Sequence, residues 1–323
     1  MKASLVIDGN YLLNKDVYIL YEMRTLYSDL GNLLRKDLTN LSKKYSFDHI
    51  YFVSDSKMRW RQEYYSDYKG NREPNEKIDW KFVYKEYAIF RNEIKNLSHV
   101  QSYQIDWAEG DDLIAHLVNE NNKRGISNII MGADADLHQL IRFDLGLEYI
   151  NVMYNYKFSD ERTYWPKNYN VFIKEMSKRI GLDSLWDMND DNEFLEFLED
   201  LEFKTKTKEV SPEETLFCKM VSGDKPDNIP SVYHKGKRGI GEKGSLSIYR
   251  LYKETNQEII DFDSDIFINR LVELISYSKK ITDQTVMDDI RQKLVRNRKL
   301  LKLDENYLPP EIKEEMVKKV KIY

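Results

Sequence analysis

The sequence has little cysteine, histidine or proline, and it has no long apolar run. Its single cysteine, Cys218, excludes an internal disulfide framework and a cysteine-based structural zinc site. The 5 histidines show no spacing typical of paired metal ligands. No apolar run approaches the roughly 18 residues that a membrane-spanning helix needs, and Asp8 interrupts Leu5–Ile7 too early for a secretory leader. We therefore expect an enzyme or a binding protein of the cytoplasm.

The net charge of −5 conceals charge that is strongly segregated along the chain. Residues 57–72, 225–243 and 291–302 are basic on balance, whereas the charged side chains of residues 187–202 are all acidic. Basic segments are typical of contacts with nucleic acid, so the small negative total does not exclude such a partner. The composition, 41% apolar and 33% charged, is that of a globular protein large enough for about two domains.

Short apolar runs alternate with longer amphipathic stretches through residues 1–150. This alternation predicts βα units around a mostly parallel sheet. The candidate strands are Ser4–Ile7, His49–Ser54, Val100–Ile105, Asn128–Met131 and Glu148–Met153. The second half is predicted to be mainly helical. We expect an α/β domain over residues 1–186, an acidic connecting segment over 187–210 and a helical domain over 211–323.

Acidic residues follow four of the candidate strands at the point where each strand ends. They are Asp8, Asp55, Glu109, Asp111, Asp112, Asp134 and Asp136. Ligands of an open parallel sheet bind beyond the carboxyl ends of its strands, so we expect these acids on one rim. Each acid taken alone could instead cap the following helix, and for Asp112 that alternative stays open. The same coincidence at four strands favours a shared site.

Carboxylates crowded on one rim repel one another, so divalent cations are expected among them. Oxygen ligands without histidine or thiolate suit Mg²⁺ or Mn²⁺ rather than Zn²⁺. The number of acids leaves room for two ions. Two ions can activate a water and stabilise the leaving oxygen in phosphodiester hydrolysis.

Residues 57–72 interleave cations with the rings of Trp60 and three tyrosines, directly after Asp55. Single-stranded nucleic acid is bound by this combination, because rings stack on bases while cations follow the backbone. Lys69 and Arg72 are three apart, so on a helix they would share one face and could offset charge developing on a scissile phosphate. The alternative is a solvated amphipathic helix whose rings pack inward.

A glycine-rich turn in the second half is a candidate phosphate contact. Gly239-Ile240-Gly241 precedes a predicted helix over residues 245–252 and can present backbone N–H groups to a phosphate. Such a turn is weak evidence by itself. The motif GDKPDNIP at residues 223–230, shortly upstream, makes the indication stronger.

Seven short motifs together resemble those of a known family. They are IDGN (7–10), VSD (53–55), YKGNR (68–72), AEGDD (108–112), GADAD (132–136), GDKPDNIP (223–230) and GIGEKG (239–244). In this order they are similar to the 5′-nuclease family of flap endonucleases and 5′→3′ exonucleases, and within it to the phage branch. The resemblance spans residues 1–250.

The resemblance implies a fold and a set of metal ligands. The fold is a PIN-like α/β nuclease domain with a helical arch at about residues 56–80, followed by a helix–hairpin–helix-type domain that binds duplex DNA. By motif, the first metal site would use Asp8, Asp55, Glu109 and Asp111. The second, looser site would use Asp112, Asp134, Asp136 and Asp224, some of them through water.

The resemblance also implies DNA contacts. Lys69 and Arg72 match the basic pair at the base of the arch and would be catalytic, and the glycine turn would contact duplex phosphates beside a bound K⁺. The expected DNA-binding residues are Trp60, Arg61, Tyr68, Lys69, Arg72, Lys235, Lys237, Arg238, Gly239, Gly241 and Lys243. The chain departs from the family at Gly110, where alanine is usual, and at Tyr233–Arg238, a basic insertion where most relatives have almost nothing.

The expected function is a Mg²⁺-dependent, structure-specific 5′ nuclease with two ions, in which Mn²⁺ can substitute. It would remove RNA primers and flaps during replication, with RNase H-type activity, acting as a monomer in the cytoplasm of a bacterial host. Expected partners are branched or nicked duplex DNA, RNA·DNA hybrid, and replication proteins such as a clamp or a single-strand-binding protein. The alternatives are a non-catalytic DNA-junction-binding protein and a PIN-type endoribonuclease.

Overall fold

The computed structural model describes residues 1–24, 29–43, 45–57, 59–156, 160–180, 190–256 and 258–321. The chain forms two compact units, each assembled from separate stretches of sequence. The first unit comprises Met1–Arg59, Pro74–Val210 and Asp304–Tyr323, and the second comprises Trp60–Glu73 and Ser211–Leu303. No helix within the described ranges is both long enough and apolar enough to cross a membrane.

An eight-stranded sheet organises the first unit. Its strands are β1 (Ala3–Asp8), β2 (His49–Val53), β3 (Val100–Tyr103), β4 (Ser127–Met131), β5 (Phe143–Asp144), β6 (Tyr149–Asn155), β7 (Arg162–Pro166) and β8 (Lys206–Val210). The order is β3-β2-β1-β4-β6-β7-β8, and β5 pairs with β6. The strands β3, β2, β1, β4 and β6 are parallel to one another. Strand β7 is antiparallel to β6, and β8 is parallel to β7. The predicted α/β fold with a mostly parallel sheet is confirmed.

Helices are numbered along the whole chain. They are α1 (Gly9–Met23), α2 (Leu30–Ser42), α3 (Trp60–Tyr64), α4 (Trp80–Ile94), α5 (Gly110–Asn122), α6 (Tyr169–Ile180), α7 (Asp190–Lys204), α8 (Pro212–Ser222), α9 (Glu242–Thr255), α10 (Asp265–Lys279), α11 (Gln284–Leu301) and α12 (Pro310–Lys319). A short 3₁₀ helix spans Ala135–Leu140. On α4, Val83, Tyr87, Phe90 and Ile94 are buried at the spacing of one helical face, as the sequence pattern predicts.

The extent of the first unit differs from the predicted domain boundaries. Helix α7 buries Phe194 and Leu198 in the core of the first unit, and β8 joins its sheet, so residues 190–210 belong to this unit. The predicted connecting segment begins at residues 187–189, which lie outside the described residues. Residues 304–321 also belong to the first unit, because the Tyr103 hydroxyl donates to the carbonyl oxygen of Lys321 over 2.9 Å.

The second unit is mainly helical, as predicted, and contains α3, α8, α9, α10 and α11. Its core is rich in aromatic rings, among which Phe217 makes edge contacts with Tyr249 and Phe267. The buried Asn297 side chain on α11 donates hydrogen bonds to the carbonyl oxygens of Met220 and Pro230. This amide therefore fixes the loop after α8, which carries the GDKPDNIP motif.

A two-stranded antiparallel hairpin, β9 (His234–Lys235) and β10 (Arg238–Gly239), precedes α9 in the second unit. It is formed by the sequence insertion noted above. Residues 60–73, predicted to lie in the α/β domain, belong to the second unit instead. Among the described residues of 56–80, the helical part is limited to the five residues of α3 and the first residue of α4. A long helical arch is therefore not seen in this segment.

Candidate active site

The strand ends of the first unit place its acidic residues beside one another. Asp8 closes β1 opposite Val53 of β2, and its neighbour Ile7 lies opposite Met131 of β4. Val53 in turn lies opposite Tyr103 of β3. The acids that follow these strands therefore start from one edge of the sheet, as their positions in the sequence predict.

Asp8 is the carboxylate around which the others gather. It caps α1, where its Oδ1 accepts the backbone N–H groups of Asn10 and Tyr11, each at 3.0 Å. The pKa of Asp8 is raised to about 7, chiefly by burial and also by the nearby charges of Asp55 and Asp134, while the two backbone hydrogen bonds lower it in part. A cation bound here would offset both the loss of hydration of the buried carboxylate and its repulsion by the neighbouring acids.

Asp55 is held against the start of α5. Its Oδ1 accepts the N–H of Gly110 over 2.7 Å, and its own N–H donates to Oδ1 of Asn10 over 3.1 Å. A Cβ on Gly110 would lie 3.0 Å from the Asp55 Oδ1 atom, which is closer than ordinary packing. Glycine, where the family usually has alanine, thus permits this short contact between α5 and the carboxylate.

Glu109 and Asp112 are both buried at the N-terminus of α5. The Glu109 N–H donates to Oδ2 of Asp112 over 3.2 Å, which is half of a capping box. Asp112 therefore has the capping role that the sequence left open. Asp111, one position earlier on the helix, is partly exposed at the same helix start.

Asp134 and Asp136 follow β4. Oδ1 of Asp134 accepts the N–H of Asp136 over 2.9 Å at the start of the 3₁₀ helix, and Asp136 is buried. Gly132 brings this segment close to β1, because a Cβ built there would lie 3.6 Å from the Cβ of Asp8. Asp134 is consequently near enough to contribute to the raised pKa of Asp8.

Arg59 is a site residue that sequence reasoning missed. Its guanidinium lies between two of the acids, with Nε 3.4 Å from Oε1 of Glu109 and Nη2 3.9 Å from Oδ2 of Asp55. Arg59 lies in the basic segment 57–72, and its position four residues after Asp55 is the sequence signal that indicates this contact. Arg59 offsets part of the carboxylate charge when no metal ion is bound.

The donor set fits hard divalent cations. The first unit presents carboxylate oxygens from separate strand ends, and burial together with the neighbouring carboxylate charges keeps the pKa of Asp8 high. Across the residues that the structure describes, however, no three acidic, histidine or cysteine side chains already converge on one coordination point. The acidic groups fit a metal ion by their chemistry and by their position at neighbouring strand ends.

Lys69 and Arg72 lie in the second unit and converge on one acid. Arg72 forms an ion pair with Oδ1 of Asp227, the Lys69 Nζ atom lies 3.7 Å from Oδ2, and the Tyr68 hydroxyl donates to that oxygen over 2.9 Å. The expectation of a shared helical face is wrong, because Lys69 has a φ of +56° in a turn. The turn nevertheless brings both cations together.

Asp227 was not singled out from the sequence, although it lies within GDKPDNIP. It is buried, its N–H donates to Oδ1 of Asp224 over 3.2 Å, and Oδ2 of Asp224 accepts from Lys219 over 2.6 Å. The loop is closed by paired backbone bonds between Asp224 and Ile229. The assignment of Asp224 to a metal site rests on its motif alone.

Three predicted DNA contacts are corrected by their burial. Trp60, Arg61 and Tyr68 retain only 4%, 2% and 3% of their accessible surface. Nε of Arg61 donates to the carbonyl oxygen of Leu300 over 2.7 Å, and its guanidinium lies over the Trp60 ring. These side chains stabilise the second unit, and their ring faces are not open for stacking on bases.

The glycine turn has the features of a phosphate contact. Ile240 is buried, while Gly239 and Gly241 on either side are exposed. Gly241 is the N-cap of α9 and offers no side chain to its first backbone N–H groups. These N–H groups are therefore available to an external acceptor such as a phosphate oxygen. Lys243 is exposed in the first turn of the helix, close to these N–H groups.

A parallel sheet with acids at its strand ends, together with a helical unit that carries a glycine turn, is the architecture that the sequence resemblance implies for a nuclease. The family model described as "5'-3' exonuclease, N-terminal resolvase-like domain" matches residues 3–170, just over half of the chain. The chain therefore belongs to the 5′-3′ exonuclease family. The predicted family is confirmed, and its phage branch stays a prediction.

Curated relatives and solved structures agree with this family. The 5′-3′ exonuclease of Mycoplasmopsis pulmonis is 23% identical over 82% of this chain and 72% of its own length. DNA polymerase I of Streptococcus pneumoniae is 27% identical over 76% of this chain, which matches only 24% of that longer protein. The T5 D15 protein co-crystallised with metal ions has a TM-score of 0.61 at 16% identity, covering 98% of this chain and 97% of its own. This similarity shows a common fold.

Proposed function

We propose that the chain is a divalent-metal-dependent 5′ nuclease that acts on branched or nicked duplex DNA as a 5′→3′ exonuclease and flap endonuclease. The observation that carries the proposal is the clustering of Asp8, Asp55, Glu109 and Asp134 at the strand ends of a chain from this family. Two solved structures of the T5 D15 protein, which is similar in fold to this chain, support the proposal. One is co-crystallised with metal ions, and the other is a flap endonuclease in a complex with DNA and metal ions.

Mg²⁺ is the proposed cofactor, as two ions, with Mn²⁺ able to replace it. In this proposal the first ion is held by Asp8, Asp55, Glu109 and Asp111, and the second by Asp112, Asp134, Asp136 and Asp224. Bound ions would supply an activated water and neutralise charge on the scissile phosphate. The chain's own acids would hold and orient that water, and Asp8 must lose its proton first because its pKa is about 7.

Lys69 and Arg72 are proposed to stabilise the transition state. Their cationic groups are held together by Asp227, which restricts their rotamers before substrate binds. Preorganised charge of this kind costs no reorganisation when negative charge develops on the phosphate. On binding, the phosphate would compete with Asp227 for both cations.

The cellular role is proposed to be the removal of RNA primers or flaps during replication, which would include RNase H-type activity on RNA·DNA hybrid. The match to part of DNA polymerase I of Streptococcus pneumoniae supports a role at replicating DNA. A K⁺ ion beside the glycine turn, a monomeric state, contact with a clamp or single-strand-binding protein, and a place in the bacterial cytoplasm belong to the same proposal.

The test uses a 5′-labelled flap duplex and a labelled RNA·DNA hybrid with Mg²⁺, Mn²⁺ or EDTA, resolved on a denaturing gel. Release of short 5′ fragments in Mg²⁺ but not in EDTA is expected, and cleavage of the hybrid tests the RNase H-type activity separately. Asp134→Asn should lose turnover by orders of magnitude while it still binds the duplex.

Uncleaved substrate in both metals, together with intact duplex binding, would contradict the proposal and favour a non-catalytic junction-binding protein. Preference for a structured RNA over a DNA flap in a competition assay would favour an endoribonuclease instead. Retained turnover in Asp134→Asn would remove that residue from the proposed site.

A further inference from the structure

The hairpin β9–β10 leads directly into the glycine turn. Its two-residue loop, Gly236 and Lys237, starts with a glycine at φ +62°, which suits the first loop position of a type II′ turn. No atom lies within 4 Å of a Cβ built at Gly236, so the loop tip is open to solvent. A short hairpin of this kind keeps its direction, because the loop matches the twist of its strands.

The base of the hairpin is fixed to the core of the second unit. The Ile240 N–H donates to the Ser231 Oγ atom over 2.9 Å, and Ser231 in turn donates to the carbonyl oxygen of Val221 on α8. A Cβ on Gly239 would lie 2.8 Å from Nε2 of His234 and 2.9 Å from the Cβ of Ser231. A larger residue at position 239 would therefore collide with the base of the hairpin. Because Gly239 belongs both to β10 and to the glycine turn, we treat the hairpin and the turn as one structural element.

The cationic side chains of this element have no partner among the residues that the structure describes. Within the stretches that the structure describes, Lys235, Lys237, Arg238 and Lys243 form no side-chain hydrogen bond or ion pair, and all four are exposed. Several other lysines of the second unit are paired: Lys219 with Asp224, Lys253 with Glu213, Lys293 with Asp289 and Lys302 with Asp263. Lys225, Lys279 and Lys280 are also exposed without a side-chain partner among the described residues, but they do not share one short element with so many cations. The hairpin concentrates cations that the fold itself does not use.

We propose that the hairpin binds duplex DNA phosphates beyond those bound by the glycine turn, and so lengthens the duplex footprint of this chain. At about 3.3 Å per strand residue, the loop reaches about 7–10 Å past the turn. Duplex phosphates are spaced by about 3.4 Å of helix axis on each strand, so this reach adds about two to three base pairs. Because the backbone of the hairpin is already folded, binding phosphate needs to order only its side chains.

The inference rests on the proposed function for its ligand, duplex DNA, but its test does not depend on catalysis. Binding of the full chain to a labelled duplex in EDTA is measured by fluorescence anisotropy at several salt concentrations. The variant Lys235→Ala/Lys237→Ala/Arg238→Ala is compared with Lys36→Ala/Lys95→Ala/Lys174→Ala. The control removes the same charge from exposed lysines of the first unit that have no partner within the described residues.

Each phosphate contact contributes about 0.9 to the slope of log affinity against log salt, so the hairpin variant should lose about 2 to 3 from that slope. The control variant and Lys235→Arg/Lys237→Arg should both keep the wild-type slope. In a series of duplex lengths, the shortest duplex bound at full affinity should be about two to three base pairs shorter for the hairpin variant than for the wild type.

An unchanged slope in the hairpin variant, or an equal loss in the control, would overturn the inference. Its failure is distinguishable from failure of the proposed function. A protein that cleaves flaps but shows no hairpin effect keeps the proposed function and loses this inference, whereas a protein that shows the hairpin effect without cleaving does the reverse.

Discussion

At the scale of single residues, the site is governed by charge that is unfavourable until a cation binds. Asp8 caps α1 and at the same time lies among other carboxylates, and its pKa is raised to about 7 by burial and by these neighbours. In the absence of metal, its ionisation therefore opposes folding. As pH rises, a carboxyl group whose pKa is raised by folding keeps its proton in the folded state after it has lost the proton in the unfolded chain. The free energy of unfolding therefore falls over this range of pH.

Asp8→Asn is expected to stabilise the metal-free protein at pH 8. The destabilisation from ionised Asp8 develops as pH rises from about 4 to 7 and is constant above that, so a shift of about three pKa units predicts a gain of up to about 4 kcal/mol for the variant at pH 8 and little at pH 4. Thermal melts in EDTA at both pH values measure this. Asn keeps an oxygen for the helix cap, and equal melting temperatures at pH 8 would refute the account.

Metal binding is expected to release a proton from Asp8. Below pH 7 the ion must displace that proton, so Mg²⁺ or Mn²⁺ affinity should fall between pH 8 and pH 6. Calorimetry in two buffers of different ionisation enthalpy counts the protons released, with about one expected near pH 6. Asp8→Asn should bind metal weakly without this release, and the same proton count in that variant would assign the titration to another group.

At the scale of elements, close approach of backbone to side chain fixes where the acids lie. A Cβ on Gly9 would lie 2.4 Å from both the Phe52 ring and the Tyr87 hydroxyl, so α1 packs against β2 only because this position is glycine. The strand that ends at Asp8 was predicted from the sequence, because a short apolar run directly precedes this acid. The contact of Arg59 with Glu109 and those of Asp227 with Lys69 and Arg72 join residues far apart in the sequence, and no local pattern predicts them.

Gly9→Ala is expected to destabilise the protein by about 2–3 kcal/mol, because neither the Phe52 ring nor the buried Tyr87 can yield without repacking the core. Gly31→Ala on α2 is the matched control. There the nearest atom is the flexible end of Arg35 at 3.2 Å, so a neutral or slightly stabilising effect is expected. Urea denaturation of both variants measures the difference, and equal effects would contradict the packing argument.

The turn that carries Lys69 and Arg72 depends on Asp227. Asp227→Asn keeps the size and an acceptor for Tyr68 but removes both ion pairs, so kcat should fall by about 10- to 100-fold with a smaller change in KM. Tyr68→Phe removes one hydrogen bond and should cost about 1 kcal/mol of stability with kcat nearly unchanged. A kcat for Asp227→Asn equal to that of the wild type would show that the cations do not need this anchor.

At the scale of the whole molecule, the sequence predicted the parallel sheet and the helical second half but not which segments belong to which unit. Strand and helix patterns are local, whereas unit membership depends on contacts between distant segments. The acidic residues of α7 suggested a connecting segment, yet its apolar face, with Phe194 and Leu198, packs into the first unit. The mixed edge of the sheet, β7 and β8, was missed because neither strand is a continuous apolar run and four of the five residues of β8 are exposed.

The C-terminal segment is expected to stabilise the first unit, although it follows the second in the sequence. His116 on α5 lies 2.6 Å from Glu305, Lys321 is bonded to Tyr103 on the edge strand β3, and α12 buries Ile312 and Met316. Met316→Ala removes a buried side chain and should cost about 2–4 kcal/mol, whereas the exposed Lys318→Ala should cost little. Hydrogen exchange distinguishes the units: amides of α5 and β3 should lose protection in Met316→Ala while those of α8 and α11 keep theirs. Equal loss of protection in both units would mean that the chain unfolds as one body, and the segment would then have no special role in the first.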